Sequence, residues 1–172
     1  MLRLLLFRHA KSDWPDGVDD HDRPLAERGR RAGPMMAGYM TGEGLIPDLA
    51  LVSTARRTRE TWELLRPVIG DGIRWREEPR IYEAPARVIL DVIRAVEPGI
   101  GTLLVVGHNP GLHDAALRLA GRGREADLTR LQQKYPTAGL AVIDFIAGRW
   151  SDLADQSGEL ERFVTPRTVG HG

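Results

Sequence analysis

The 172 residues of the chain suffice for one domain with a full hydrophobic core, and 42% hydrophobic with 28% charged residues is typical of a soluble globular protein. The 24 basic and 24 acidic residues cancel, so a broad nucleic-acid-binding surface is not expected. Cysteine is absent, which excludes disulfides, thiolate metal sites and cysteine nucleophiles. The first apolar run is too short for a signal peptide or a membrane span, and we expect a cytoplasmic protein with no membrane partner.

Strand-like and helix-like patterns alternate along the first half of the chain. The apolar run at residues 2–7 predicts a buried strand, and residues 11–25, rich in Asp, Pro and Gly, predict a loop. A helix is expected from about residue 27 to 42, kinked or divided by Pro34. Residues 49–52 predict a second strand, and residues 56–65 a second helix.

The alternation continues in the second half. Pro85 opens a predicted third helix, whose apolar residues recur at helical spacing. Residues 102–106 predict a strand, after which Asn109 and Pro110 are expected to begin a helix as its N-cap and first residue. A late strand is predicted over 140–146, with candidate edge strands at 149–150 and 160–164. The pattern predicts a single three-layer α/β/α domain over residues 1–172, with a mostly parallel central sheet.

Basic side chains follow three of these strands. Arg8 and His9 come after the first strand, an Arg-rich segment at 53–61 after the second, and His108 after the strand at 102–106. Because ligands bind beyond the carboxyl ends of parallel strands, we expect these groups to converge on an anion. Such a pocket can stabilise a phosphoryl group in transfer without a metal ion.

Each feature also has an ordinary structural explanation. Arg8 and His9 can form a surface pair, His108 can cap a turn, and the arginines of 53–61 can form a solvated helix face. Glu83 can simply be an acidic residue near a helix N-terminus. The remaining acidic and histidine residues of interest are interpreted as loop solubilisers (Asp19, Asp20, Asp22), a helix-face residue (His113) and residues without a site context (His21, His171).

These features occur together and in order along the chain, and as a set they resemble the motifs of a known family. Residues 8–14 (RHAKSDW), 22–29 (DRPLAERG), 106–110 (VGHNP) and 163–167 (FVTPR), with the segment 53–61 and Glu83, resemble the histidine phosphatase superfamily of phosphoglycerate mutase-like fold. Within that superfamily the chain is similar to the SixA-like phosphohistidine phosphatases. The resemblance spans nearly the whole chain and is more specific for the superfamily than for the substrate.

The resemblance implies a role for each matching residue. His9 is expected to be the nucleophile that becomes phosphorylated, with Arg8, Arg57 and His108 as the rest of the phosphate pocket. Glu83 falls where many members carry the acid that protonates the leaving group. The family's pattern selects Arg57 over its neighbour at position 56, and it requires no metal and no cofactor.

Two departures from the wider family bear on the substrate. Ala10 replaces the common glycine after Arg-His, as in the SixA-like group, and Pro15 stands where mutases tend to have a phosphate-contacting asparagine. The segments that form lids in mutases are also short here. We therefore expect a phosphatase acting on protein phosphohistidine. A small-molecule phosphomonoesterase or mutase, acting on a phosphorylated metabolite, and a non-catalytic phosphate-binding module are the alternatives.

Overall fold

The computed structural model describes residues 1–170, and His171 lies outside them. Its centre is one seven-stranded sheet with the order β3-β2-β4-β1-β6-β7-β5. The strands are β1 (Leu2–Arg8), β2 (Leu49–Val52), β3 (Arg74–Glu77), β4 (Thr102–Gly107), β5 (Ala120–Gly123), β6 (Leu140–Phe145) and β7 (Gly158–Val164). Only β6 runs against its two neighbours, β1 and β7, and the other pairs are parallel. The predicted fold class is confirmed.

Within residues 1–170, six α-helices cover the two faces of the sheet. They are α1 (Glu27–Gly42), α2 (Arg56–Ile69), α3 (Ala86–Arg94), α4 (Gly111–Leu119), α5 (Glu125–Gln133) and α6 (Pro166–Gly170). Leu4 and Leu6 of β1 face a core shared with α3, α4 and α5. Leu5 and Phe7, which point the other way because strand side chains alternate, join a core shared with α1 and α2, against which α6 also packs. β1 is thus buried on both faces, as its apolar sequence requires.

Two buried polar side chains tie the sheet to its connections. The Tyr135 hydroxyl donates to the carbonyl oxygen of Leu6 and accepts from the backbone N–H of Ala141, so it links β1 to the start of β6. The indole N–H of Trp150 donates to the carbonyl oxygen of Ile100 at 2.7 Å. These three hydrogen bonds satisfy polar atoms that would otherwise be costly to bury.

Several element predictions were wrong in detail. Pro34 does not divide α1, which runs unbroken through it. Helix α4 begins at Gly111, and Asn109, predicted as its N-cap, instead donates its amide to the carbonyl oxygen of Tyr135 at 2.9 Å. Residues 149–150 form no strand, since Trp150–Asp152 is a single 3-10 turn. Residues 160–164 belong to β7, which is an interior strand, because β5 lies beyond it.

Four elements were not predicted from the sequence: β3, β5, α5 and α6. β3 has the sequence RWRE and is exposed along its length, so it lacks the apolar alternation of a half-buried strand.

None of the helices in residues 1–170 has the length and apolar character needed to cross a membrane.

Candidate active site

The carboxyl ends of β1, β2 and β4 open on a cavity of about 280 Å³. Arg8 ends β1 and His9 follows it, His108 follows β4, and Arg57 lies in the first turn of α2, which follows β2. All four line the cavity, as does Glu83. The rest of the lining consists of Lys11, Ser12, Trp14, Asp20, Arg23, Asn109 and Thr137. The structure therefore brings all five sequence-predicted site residues together.

His9 is held as a neutral ring with one defined free nitrogen. Its Nδ1 lies 2.8 Å from the carbonyl oxygen of Ala10, and because a carbonyl only accepts, Nδ1 must carry the proton. The lone pair is therefore on Nε2. Burial lowers the pKa of His9 to about 3, and the positive charges of Arg8 and Arg57 act in the same direction. A neutral imidazole with a fixed tautomer is what a histidine nucleophile requires.

The loop after His9 is fixed against α1 by close backbone packing. The backbone N–H of Ala26 donates to the carbonyl oxygen of Lys11 at 2.8 Å. A Cβ at Gly29 would lie 2.2 Å from that same oxygen, so this approach of helix to loop requires glycine. The N–H of Ala10 donates to the Thr61 hydroxyl of α2 at 3.0 Å. These contacts keep His9 rigid at the end of its strand.

His108 lies beside His9, with 5.4 Å between the ring centroids. Its Nε2 is 2.7 Å from the hydroxyl oxygen of Ser53, the residue that follows β2. Burial lowers the pKa of His108 to about 3, with smaller contributions from His9 and Arg57. Its Nδ1 is 3.5 Å from the nearer carboxylate oxygen of Glu83 and has no hydrogen-bond partner within residues 1–170.

Of two neighbouring arginines, only Arg57 reaches the cavity. Its side chain is 2% exposed. It donates to the carbonyl oxygen of Asp20 at 2.8 Å, to the carboxylate of Asp20 at 3.2 Å and to the carboxylate of Glu83 at 2.5 Å. Arg56 is 49% exposed and pairs with Glu60 on the helix surface at 3.0 Å. The two arginines are one residue apart on a helix and therefore face in different directions.

Several buried polar atoms at the cavity have no partner within residues 1–170. They are Nε of Arg8, Nε of Arg57, Nδ1 of His108 and Oδ1 of Asn109. Arg8 itself is held by one hydrogen bond, from Nη1 to the carbonyl oxygen of Tyr135 at 2.9 Å. Unpaired buried donors are rare and cost about 1–3 kcal/mol each. The three nitrogens in this set fit a bound anion as their partner, whereas Oδ1 of Asn109 can only accept a hydrogen bond.

The backbone of Glu83 adopts a left-handed conformation, with φ of 49°. For a residue other than glycine this costs about 1–3 kcal/mol, and such strain is concentrated at functional sites. α4 packs tightly behind this segment, because a Cβ at Gly111 would lie 1.9 Å from the carbonyl oxygen of Ala84. The conformation puts the Glu83 carboxylate between Arg57 and His108.

Asp20 is a site residue that the sequence analysis missed, and its interpretation as a loop solubiliser was wrong. Its carboxylate accepts hydrogen bonds from Arg57, from Arg23 at 3.0 Å and from the Tyr82 hydroxyl at 2.5 Å. Burial disfavours the charged form, but these hydrogen bonds outweigh it and lower the pKa of Asp20 to about 2. His21, also without a site context in the sequence, bonds the Thr54 hydroxyl at 3.0 Å beside this cluster.

Arg23 and Trp14 form a second missed feature, at the rim of the cavity. The Arg23 guanidinium is buried, donates to the Ser12 hydroxyl at 2.5 Å and stacks 3.2 Å from the centre of the Trp14 ring. Trp14 is 74% exposed although it is large and apolar. Both residues lie in segments that carry the family resemblance, 8–14 and 22–29, but the resemblance assigned no role to either. As for metals, residues 1–170 contain no group of three or more His, Asp and Glu residues placed to hold an ion.

Comparisons with known proteins agree with this geometry. The model of the histidine phosphatase superfamily (branch 1) matches residues 4–88. An uncharacterized protein of Mycobacterium tuberculosis is 40% identical over 162 residues, covering 93% of this chain and 99% of its own. A structure from Agrobacterium tumefaciens, assigned as the phosphohistidine phosphatase SixA, is 30% identical with a TM-score of 0.82, covering 96% of this chain and 98% of that one. A SixA-assigned structure from Nakamurella is 28% identical with a TM-score of 0.84, covering 96% of both chains.

The chain therefore belongs to the histidine phosphatase superfamily and is a phosphatase. Within that superfamily it is SixA-like, since its sequence and fold match the SixA structures over almost their full length. Its substrates are phosphorylated compounds.

Proposed function

We propose that this phosphatase hydrolyses phosphohistidine on proteins, with His9 as the nucleophile that is transiently phosphorylated. The observation that carries the proposal is the state of His9: the Ala10 carbonyl holds the proton on Nδ1, and burial keeps the ring neutral. Nε2 is therefore available to attack phosphorus without first losing a proton. The unpartnered donors around the cavity supply the positive field that a transferring phosphoryl group needs.

The first step transfers the phosphoryl group to the enzyme. A bond forms between Nε2 of His9 and phosphorus as the bond from phosphorus to the leaving group breaks. Arg8, Arg57 and His108 bind the oxygens that lie in the equatorial plane. For His108, a hydrogen bond donated by the Ser53 hydroxyl to Nε2 puts the ring proton on Nδ1, which makes Nδ1 a donor to the phosphate. Glu83 takes up a proton once the phosphoryl group has displaced it from Arg57, and it gives that proton to the leaving group.

The second step restores the enzyme. Glu83, now a carboxylate, takes a proton from a water molecule, whose oxygen attacks phosphorus as the bond to Nε2 breaks. The products are inorganic phosphate and neutral His9, and Glu83 is protonated again. Arg57 keeps its contact with the phosphate oxygens in both steps. Asp20 is a positioning residue in this scheme, because it holds Arg57 and does not contact phosphate.

The SixA likeness supports phosphohistidine as the substrate, because both SixA structures exceed 25% identity and cover almost the whole chain. The segments that form lids in mutases are short in this sequence, which also favours a site that a protein side chain can enter. A panel of a phosphohistidine peptide, phosphoserine and phosphotyrosine peptides and small phosphate esters tests this. The phosphohistidine peptide is expected to have the highest kcat/KM. A clear preference for a small alkyl phosphate would favour the metabolite alternative.

A further inference from the structure

A second, larger cavity lies beside the catalytic one. Its volume is about 490 Å³, and it shares Lys11 and Thr137 with the catalytic cavity, so the two are adjacent. We call it the basic groove. Its walls are formed by Lys11, Arg28, Ala32, Arg130, Gln133, Lys134, Pro136, Thr137, Phe163, Thr165, Pro166, Arg167 and Thr168. These residues come from the loop after β1, the first half of α1, the end of α5 with the loop that follows it, the end of β7 with Thr165, and α6.

The charge of the basic groove differs sharply from that of the chain. The chain has equal numbers of basic and acidic residues, yet five of the thirteen wall residues are basic and none is acidic. The chain contains 22 arginines but only two lysines, Lys11 and Lys134, and both line this groove. Such a local excess attracts negatively charged ligands.

Most of these positive charges are unneutralised. Lys11, Arg28, Lys134 and Arg167 are exposed and, within residues 1–170, none forms an ion pair. Elsewhere most arginines pair with a carboxylate, as Arg162 does with Glu43 at 2.7 Å. Charges left unpaired in a concave surface are available to a ligand.

The fifth basic residue, Arg130, is part of a fixed wall. It donates to Asp127 at 2.9 Å and to the carbonyl oxygen of Phe163 at 2.5 Å, and its guanidinium lies 5.3 Å from the centre of the Phe163 ring. Phe163 is buried, and Ala32, Pro136 and Pro166 add further apolar surface. The groove thus combines a preformed apolar floor with an exposed positive rim.

We propose that the basic groove binds an acidic segment of the protein substrate, next to the phosphorylated histidine. This inference rests on the proposed function, since it assumes a polypeptide leaving group. An extended segment that carries both carboxylates and apolar side chains matches both the charge and the floor. A compact anion would use the charge alone. Because the two cavities share Lys11 and Thr137 in their walls, such a segment can lie in the groove while its phosphohistidine enters the catalytic cavity.

The kinetic test uses two phosphohistidine peptides that differ only in flanking residues, Asp and Glu in one and Asn and Gln in the other. The acidic peptide is expected to have about tenfold higher kcat/KM, because several weak contacts with the exposed rim act together. The preference should shrink at high salt, which screens exposed charges.

The variant that tests the groove is Arg28→Gln, and Arg30→Gln is its matched control. Both residues are exposed, both lie on α1 and neither forms an ion pair within residues 1–170, but Arg30 does not line the groove. Arg28→Gln is expected to reduce the preference for the acidic peptide by about two- to fivefold. Arg30→Gln should leave the preference unchanged. An equal effect of both variants would show only a response to net charge and would overturn the proposal.

A second measurement does not depend on turnover. Because Lys11 and Lys134 are the only lysines, an amine-acylating reagent reports on this groove and on the N-terminus. The unphosphorylated acidic peptide is expected to slow acylation of both lysines, while the 83% exposed Met1 serves as internal reference. Protection by a small bisphosphate but by neither peptide would identify a different occupant and overturn the proposal.

The two proposals fail in different ways. If neither phosphohistidine peptide is hydrolysed while an aryl phosphate is, the proposed function is wrong, and lysine protection still decides whether the groove binds acidic peptide. If both peptides are hydrolysed with equal kcat/KM and neither protects the lysines, the proposed function stands and the groove inference is wrong.

Discussion

The carboxylate of Glu83 lies 2.5 Å from a guanidinium nitrogen of Arg57, so the proposed proton donor is held by a proposed phosphate ligand. A phosphoryl group that enters the cavity must compete with Glu83 for the same N–H groups. The competition would move the Glu83 side chain, which is 45% exposed, away from Arg57 and toward the leaving group. The contact with Arg57 thus positions Glu83 before substrate binds, and its loss on substrate binding frees the side chain to reach the leaving group.

The role of Glu83 can be tested with leaving groups of different basicity. Glu83→Gln is expected to slow hydrolysis of alkyl phosphates by roughly 10²–10⁴-fold, because a basic leaving group must be protonated to depart. Aryl phosphates and phosphohistidine should lose much less, since these groups leave readily. Steady-state kcat/KM on the three substrate types measures the difference.

A matched control for this experiment is Glu77→Gln, which removes a half-exposed carboxylate that does not line the cavity. For each of the three substrate types, kcat/KM of this variant should stay within about twofold of the native value. Equal losses on every substrate in Glu83→Gln would mean that Glu83 holds Arg57 in place and does not donate the proton.

Arg57 and Arg56 allow a comparison of neighbouring residues. Arg57→Lys keeps the charge but loses the planar fork that contacts Asp20 and Glu83, and it should lower kcat/KM by about 10²–10³-fold. Arg56→Lys, on the surface, should change kcat/KM by less than about twofold. Similar losses in both variants would contradict the assignment of Arg57 to the phosphate pocket.

The positions of His9 and His108 were predictable because parallel strands bring their carboxyl ends to one edge, and both residues follow such strands directly. Periodicity alone did not separate Arg57 from Arg56, since it does not fix where a helix begins. That choice came from the family pattern. The structure puts Arg57 in the cavity, and the catalytic roles of all five residues stay predictions.

Asp20 and Arg23 were not predictable for a different reason. They lie in a polar loop, and their contacts join positions far apart in sequence, such as Asp20 with Tyr82. Neither hydropathy nor spacing encodes such contacts. β3 was missed because it is an exposed edge strand, and the capping prediction at Asn109 failed because its side chain bonds Tyr135 instead of the helix.

The pH dependence of the free energy of unfolding should show whether His9 and His108 are neutral in the folded protein. Their pKa values are lowered from 6.5 to about 3. Between these values the unfolded chain binds more protons than the folded one, so stability falls as pH drops below 6.5. Each histidine contributes a slope of about 1.4 kcal/mol per pH unit. In chemical denaturation from pH 6 to pH 4, His9→Gln should show a slope shallower by about that amount.

A phosphate titration supplies the control for the pH experiment. Bound phosphate adds negative charge next to both rings, so it raises their pKa values and should flatten the slope of the native protein. An unchanged slope in His9→Gln would mean that His9 is protonated in the folded protein, which contradicts its assignment as a neutral nucleophile.

The most direct prediction concerns the intermediate. In a reaction stopped within the first turnovers, labelled substrate should leave a phosphoryl group on the protein that is labile to acid and stable to base, as a phosphohistidine is. His9→Ala should lose both the label and turnover. Phosphate should still raise its melting temperature, because Arg8, Arg57 and His108 remain to bind the anion. If phosphate still raises the melting temperature of His9→Ala while the label is lost, the variant lacks the nucleophile but keeps an intact phosphate pocket. Undiminished turnover in His9→Ala would rule out the covalent mechanism.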